Sequence, residues 1–472
     1  MRQTRSGPFG DRVADQDGQR ATGDGGLAER THRKVTWRLM PFLFCCYVLA
    51  YLDRVNVGFA KLQMQADLGL SDTVYGIGAG MFFISYFLFE VPSNLLMRRV
   101  GARIWIARIM IVWGLVSMAS MLTRSVASFY SLRFLLGVAE AGFFPGIIWY
   151  LTLWYTRAHR AQMVAMFMTA IALSGVIGGP VSGWILQSLD GAGGLRGWHW
   201  LYLLEGLPSV VVGIIALRYL DDGPATAAWL TPEERAHIER ELAHEEALKR
   251  AHPDTAHGVA DAFRSWRVWA CGLIYFSAVM GNYGVTFWMP QIISETISPN
   301  PVHVGLISMI PWGAAAITMV LVGRHSDRTG ERRWHIALSC AVGAVFFFLS
   351  GLPGLSGWTG VALLTVALSG TLSAMASFWA LPTAMLAGSG AAAGIAWINS
   401  IGNLSGYAAP FLLGAVRDAT RDAAHPNGDM LLALSVLAVS LLTAGLVTLA
   451  VRGGSEEKPR GAVDEKAVQL RA

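Results

Sequence analysis

Apolar runs of about 20 residues alternate with short polar bursts along almost the whole chain, and about 20 residues is the length a helix needs to cross the hydrocarbon core of a bilayer. The runs fall at roughly 37–60, 74–97, 104–122, 128–153, 161–186, 198–220, 266–293, 304–324, 334–352, 358–380, 391–415 and 430–451. This pattern predicts an all-α membrane protein with twelve transmembrane helices. Residues 1–36 are polar and Gly-rich and read as a disordered cytoplasmic tail, and 452–472 as a cytoplasmic C-terminal tail. A polar stretch at 221–265 divides the runs six and six. Within it, Thr231-Pro232-Glu233-Glu234 supplies a cap residue, Pro at the first helical position and an acid at the third, so the linker carries a solvated amphipathic helix.

Internal similarity turns the six-and-six division into a duplication. The loop after the eighth run reads Gly323-Arg-His-Ser-Asp327-Arg328-Thr-Gly330-Glu-Arg332-Arg333, and the loop after the second ends Arg98-Arg99-Val-Gly101-Ala-Arg103, a degraded copy. Gly101 and Gly330 are 229 positions apart; Gly175 in the fifth run and Gly402 in the eleventh are 227 apart. Two independent pairs with nearly one offset predict two pseudo-symmetric six-helix bundles, 37–220 and 266–451. Parallel halves of this kind place a substrate site near the membrane midplane. The fifth run steps Gly175, Gly179, Gly183, and such small-residue faces let neighbouring backbones approach closely.

Composition agrees: 53% of residues are hydrophobic and only 15% charged, against roughly 25% in an average soluble domain. The net charge of +5 would suggest nucleic acid if it were clustered on a soluble face. It is not. Counting Arg267 and Arg324 with the loops they border, 27 of the 37 Lys and Arg lie in segments on one side and five on the other. That is a topology signal, with both termini in the cytoplasm of a bacterial inner membrane, and it leaves no nucleic-acid partner to expect. Cys45, Cys46, Cys271 and Cys340 all fall in apolar runs without metal-ligand spacing and read as small buried side chains. No nucleophile triad, metal-ligand cluster or nucleotide loop is visible, so neither an enzyme nor a cofactor is expected.

Ionisable groups deep in a span are costly and are functional candidates by default. Asp53 and Arg54 stand in the first run, Arg133 and Glu140 in the fourth. Arg133 and Glu140 are seven apart and share a helix face. A guanidinium keeps its charge and matches a carboxylate with two parallel hydrogen bonds, so two of them suit a small organic anion. A carboxylate in a poorly hydrated cavity leans toward its neutral form while a nearby arginine holds it as the anion, so substrate arriving at the arginine favours protonation. Glu140, with Asp53, is therefore the expected proton carrier. The repeat offset projects Arg54 onto Asn282, and Asn399, Trp379 and Tyr86 are the neutral and aromatic candidates for the pocket. Phe143 and Phe144 are aromatic groups that either line it or pack behind it.

At Leu52-Asp53-Arg54-Val55-Asn56, Arg133 to Gly146 and Ala396-Trp397-Ile398-Asn399, the sequence resembles the major facilitator superfamily, and within it the anion:cation symporters of the tartrate, phthalate and hydroxyphenylacetate permease type. The resemblance runs from about 37 to 451. It implies uptake of an organic anion together with protons, by a monomer in the lipid bilayer. It assigns the substrate carboxylate to Arg54 and Arg133, protons to Asp53 and Glu140, and the pocket wall to Tyr86, Trp379 and Asn399. The inner-loop motif implies gating roles for Gly323, Asp327, Arg328 and Gly330. Arg98 departs from the motif, which usually has Asp there. An anion exchanger or efflux carrier is the main rival reading; a membrane sensor would need a signalling domain that neither the tail nor the linker is large enough to be.

Overall fold

The computed structural model describes residues 10–251, 264–385, 389–423 and 425–451, and among these the regular elements are all helical. In chain order they are α1 Gly10–Leu68, α2 Asp72–Val100, α3 Ala102–Ala119, α4 Val126–Glu140, α5 Phe143–Thr152, α6 Arg157–Met168, α7 Ala170–Ser188, α8 Gly197–Tyr219, α9 Pro232–Ala251, α10 Trp266–Thr296, α11 Pro301–Thr329, α12 Arg333–Ser350, α13 Gly357–Phe378, α14 Ala380–Met385, α15 Ser389–Ala419 and α16 Met430–Ala450. Among the described residues, eleven helical spans are long and apolar enough to cross a membrane. The expected eleventh run is the long helix α15, whose Asn399, Ser400, Asn403 and Ser405 dilute its hydropathy. Leu88, Val211, Ile214, Leu442 and Leu446 turn outward, as lipid-facing side chains do.

Two compact units form: residues 1–253 with 287–313, and 254–286 with 314–472. In the first, α3 packs along α8, α1 against α7 and α8, and α2 against α4. In the second, α12 packs on α13 and α16.

The tail expected to be disordered over 1–36 is helical from Gly10 onward, as an extension of α1. Tertiary contacts account for its inner part. His32 Nε2 lies 2.9 Å from Glu241 Oε2 and Lys34 Nζ donates to Glu234 Oε2 at 2.7 Å, both acids being on α9. The start of α9 follows its sequence: Thr231 Oγ1 accepts from Glu234 N at 3.2 Å while Glu234 Oε2 accepts from Thr231 N at 2.9 Å. Residues 252–263 of the linker and the C-terminal tail 452–472 lie outside the described residues. Of the four cysteines, Cys46, Cys271 and Cys340 are buried and Cys45 is exposed, because neighbours on a helix point about 100° apart.

The fourth run is not one helix. α4 stops at Glu140 and α5 starts at Phe143, with Gly142 between them at φ +85°. Only glycine adopts that conformation freely, and a Cβ there would lie 2.5 Å from Ser93 Oγ on α2. One turn earlier, a Cβ on Gly137 would collide with Ser85 Oγ and the Phe82 carbonyl. Gly137 thus sets the spacing of α2 and α4. Gly137→Val should destabilise the protein by about 1–3 kcal/mol, as overpacking does, and lower the melting temperature of the detergent-solubilised protein.

The glycine steps of the fifth run are contacts of α7 with the first turns of α11. A Cβ on Gly179 would sit 2.6 Å from the Gly305 carbonyl, while Gly175 faces the Trp312 ring and Gly183 the Pro301 carbonyl.

Candidate functional site

A helix interrupted at a carboxylate is the centre of the first unit's polar interior. Glu140, the last residue of α4, is fully buried, and its Oε1 accepts from Arg54 Nη2 of α1 in a buried ion pair. The Arg54 guanidinium is enclosed by aromatic faces: its Cζ lies 5.2 Å from the centroid of Phe82, 5.6 Å from Tyr86 and 5.9 Å from Tyr51. Such stacking suits a planar, weakly hydrated cation.

Arg133 reaches the same place from two turns back on α4. It is 1% exposed, its Cζ is 5.3 Å from the Phe82 centroid, and its Nη2 donates to the Ala79 carbonyl at 3.2 Å. Among the described residues its Nε and Nη1 have no hydrogen-bond partner, and neither has Glu140 Oε2. Both guanidinium groups therefore sit against one ring, no farther apart than the sum of their distances to it. The Glu140 carboxyl interacts electrostatically with both. Buried donors left unmatched are uncommon in native proteins and ask for an explanation.

Asp53 is next to Arg54 in sequence but not in space. The 100° step between neighbours on a helix turns it to a different side, toward α3 and α8. There it accepts from Trp113 Nε1 at 2.8 Å, Ser117 Oγ at 2.7 Å and Ser209 Oγ at 2.6 Å, and it is fully buried. Phe143 is also packing, edge-on to Trp113 with ring centroids 5.0 Å apart, and Phe144 stacks on Phe167 at 6.1 Å.

The second unit has its own interior. Asn282 is buried on α10, and Asn399 is half-buried on α15. Trp379 occupies the joint between α13 and α14 and meets Tyr275 edge-on at 4.8 Å; Tyr275 also stacks on Phe378 at 5.0 Å. Tyr275, which the sequence did not single out, fills the space a Cβ on Gly402 would need, so it ties α10 to both α14's joint and α15. In the inner-loop motif, Gly330 ends α11 at φ +69° and Asp327 pairs with Arg332 at 2.6 Å while its side chain stays 70% exposed. Arg328 is exposed, and a Cβ on Gly323 would meet nothing within 4 Å. In the copy after α2, where Arg98 replaces the usual acid, Asp222 supplies a carboxylate from beyond α8 and accepts from Arg103 N at 2.9 Å.

The buried charges that escaped the sequence reading include Lys61, Asp72 and Glu205. Lys61, counted there with an outer loop, is still in α1, which runs on to Leu68. Its Nζ donates to Asp72 Oδ1 at 2.9 Å, with the Trp288 ring centroid 3.4 Å away, and both charged side chains are fully buried. Removing one member of such a pair costs about 3–5 kcal/mol, because the other stays buried without its counter-charge, whereas replacing both with apolar groups restores most of the loss. Lys61→Met should therefore melt well below Lys61→Met/Asp72→Leu.

A polytopic helical fold with opposed charges at its centre and a broken helix beside them defines a membrane transporter. The chain belongs to the Major Facilitator Superfamily: the profile described by that name matches residues 43–410. It is 45% identical to an Agrobacterium vitis protein named "Putative tartrate transporter", over 90% of this chain and 91% of that one. It is 40% identical to the "Quinolone resistance transporter" of Acinetobacter baumannii, over 89% of this chain and 94% of that one. Among solved structures, the inward open xylose transporter XylE from E. coli superposes with a TM-score of 0.69 at 14% identity, over 92% of this chain and 99% of that one, a likeness of fold. Relatives and fold are those of transporters, not enzymes.

Proposed function

We propose that the protein is a proton-coupled importer of a small organic carboxylate, working as a monomer in a bacterial inner membrane with both termini in the cytoplasm. The observation that carries this reading is the buried Arg54–Glu140 pair beside Arg133, whose Nε and Nη1 lack partners. A carboxylate of the substrate takes the Arg133 fork and competes with Glu140 for Arg54. Glu140, deprived of its cation in a dry site, takes up a proton. With Glu140 neutral, two guanidinium charges balance a dianion, which favours a dicarboxylate. The name of the Agrobacterium relative points to the same class. The distribution of Lys and Arg supports the topology. Tyr86 belongs to the same substrate site in the first unit, and Asn282, Trp379 and Asn399 are the substrate contacts proposed for the second unit. Gly323, Asp327, Arg328 and Gly330 serve the inner gate.

Proteoliposomes given labelled tartrate, an aromatic acid, a sugar acid and a neutral sugar under an inward proton gradient test this. Tartrate or another of the acids should accumulate; accumulation of the neutral sugar alone would refute it. The Acinetobacter relative's name favours a second reading, export of an organic anion. Accumulation under an outward proton gradient, with none under an inward one, would select that reading instead.

A further inference from the structure

We propose that Glu205 is a second proton-carrying carboxyl of the transport cycle, paired with Asp53 in a cation-free compartment behind the Arg54 site. This rests on the proton-coupled reading above and extends it to a group that reading does not use.

Glu205 lies in the middle of α8, 5% exposed. Its Oε1 accepts from Ser182 Oγ of α7 at 2.7 Å, and its Oε2 has no hydrogen-bond partner. One turn further along α8, Ser209 donates to Asp53, so a single helix face serves both acids. One turn beyond Asp53 on α1, the Asn56 amide lies beside the Glu205 carboxyl, and both of its polar atoms are buried without partners. An amide and a carboxyl that face each other with a loose fit make a place where an added proton finds an acceptor.

The surroundings decide which acid holds the proton. Asp53 receives three N–H or O–H donors, which solvate a negative charge. Glu205 receives one hydroxyl at hydrogen-bond distance and faces the Asn56 amide, fewer donors than Asp53 has. The groups facing Glu205 are Ser182 from α7, Asp53 and Asn56 from α1, and Tyr202 and Ser209 from its own helix; through Asp53, α3 contributes Trp113 and Ser117 and α4 contributes the Glu140 carboxyl. Among the described residues, no Lys, Arg or His forms an ion pair with either acid. Two buried carboxyls without a cation cannot both be ionised at low cost, so one proton belongs to the pair and resides on Glu205. A metal cation suits the compartment less well. The indole N–H and the hydroxyl hydrogens already point at the Asp53 oxygens, and an indole nitrogen offers no lone pair.

The test needs no substrate at its first step. Infrared spectra of the purified full-length protein should show the carbonyl stretch of a protonated buried carboxyl at neutral pH. That band should disappear in Glu205→Gln and persist in Asp53→Asn; a band unchanged in Glu205→Gln would overturn the proposal. Proteoliposomes with labelled tartrate give the second readout. Each coupled proton contributes a tenfold accumulation per unit of imposed pH gradient, so Glu205→Gln should lower tartrate accumulation tenfold at a one-unit gradient. An unchanged gradient dependence in this variant refutes the role of Glu205, while absence of any dependence in the wild type refutes the proton-coupled reading itself. If Glu205→Gln melts too low to study, Ser182→Ala keeps the carboxyl and removes its donor. Loss of the band should then move to higher pH, and an unshifted titration would contradict the assignment.

Discussion

On the proposed reading, Arg133→Lys should lower the initial rate of tartrate uptake at limiting concentration by about a hundredfold. The substitution keeps the positive charge and most of the stem, so the general electrostatics of the site survive. What it removes is the planar fork whose Nε and Nη1 have no protein partner. An ammonium cannot make two parallel bonds to one carboxylate. Losing a hydrogen bond to a charged group costs about 1.5–3 kcal/mol, and each 1.4 kcal/mol is roughly tenfold in binding, so about a hundredfold follows. Rates in Arg133→Lys close to the wild type would mean that Arg133 acts as a point charge, or that its neighbours were built only to pack.

Glu140→Gln separates substrate movement from the proton gradient. The amide keeps the shape of the side chain and can still meet Arg54 through its carbonyl oxygen, but it cannot exchange a proton. On the proposed reading, accumulation of tartrate by the wild type should rise with an imposed inward proton gradient. In this variant the dependence on the gradient through Glu140 is lost, and uphill accumulation falls by about tenfold for each unit of pH imposed. The comparison is made with matched proteoliposomes over several gradients. A Glu140→Gln protein with the full gradient dependence would remove Glu140 from the coupling step, leaving the Asp53–Glu205 compartment as the remaining candidate for it.

The apolar runs made the helical membrane fold legible, because lipid imposes its length and composition on each span. Arg54, Arg133 and Glu140 were legible for a related reason: a charge in an apolar run is expensive enough to need a purpose. Their pairing was not. Asp53 and Arg54 are neighbours in the chain, yet the helix points them to different sides, and only the packing of α3 and α8 decides that Asp53 meets Trp113, Ser117 and Ser209. The break after Glu140 was half visible in the Gly142 and Pro145 of the fourth run, though the need for a left-handed residue came from the close approach of Ser93. Glu205 carried the same signal as Glu140, an acid in the middle of an apolar span, and the same rule applied evenly would have found it. Lys61 was hidden because the first helix outlasts its apolar stretch by two turns, kept there by a buried partner at Asp72 that hydropathy does not register. The inner part of the supposed tail is likewise held by acids of α9 some 200 residues away, a contact no local pattern encodes.

The exchange of Arg54 from Glu140 to a substrate carboxylate is measured most directly as proton movement on binding. Purified protein in weakly buffered detergent solution, near neutral pH, is mixed with tartrate while a soluble indicator reports the free proton concentration. The account predicts net uptake of protons by the wild type on addition of tartrate, and none attributable to this step in Glu140→Gln. Bound tartrate with no proton uptake, or with protons released, would contradict it.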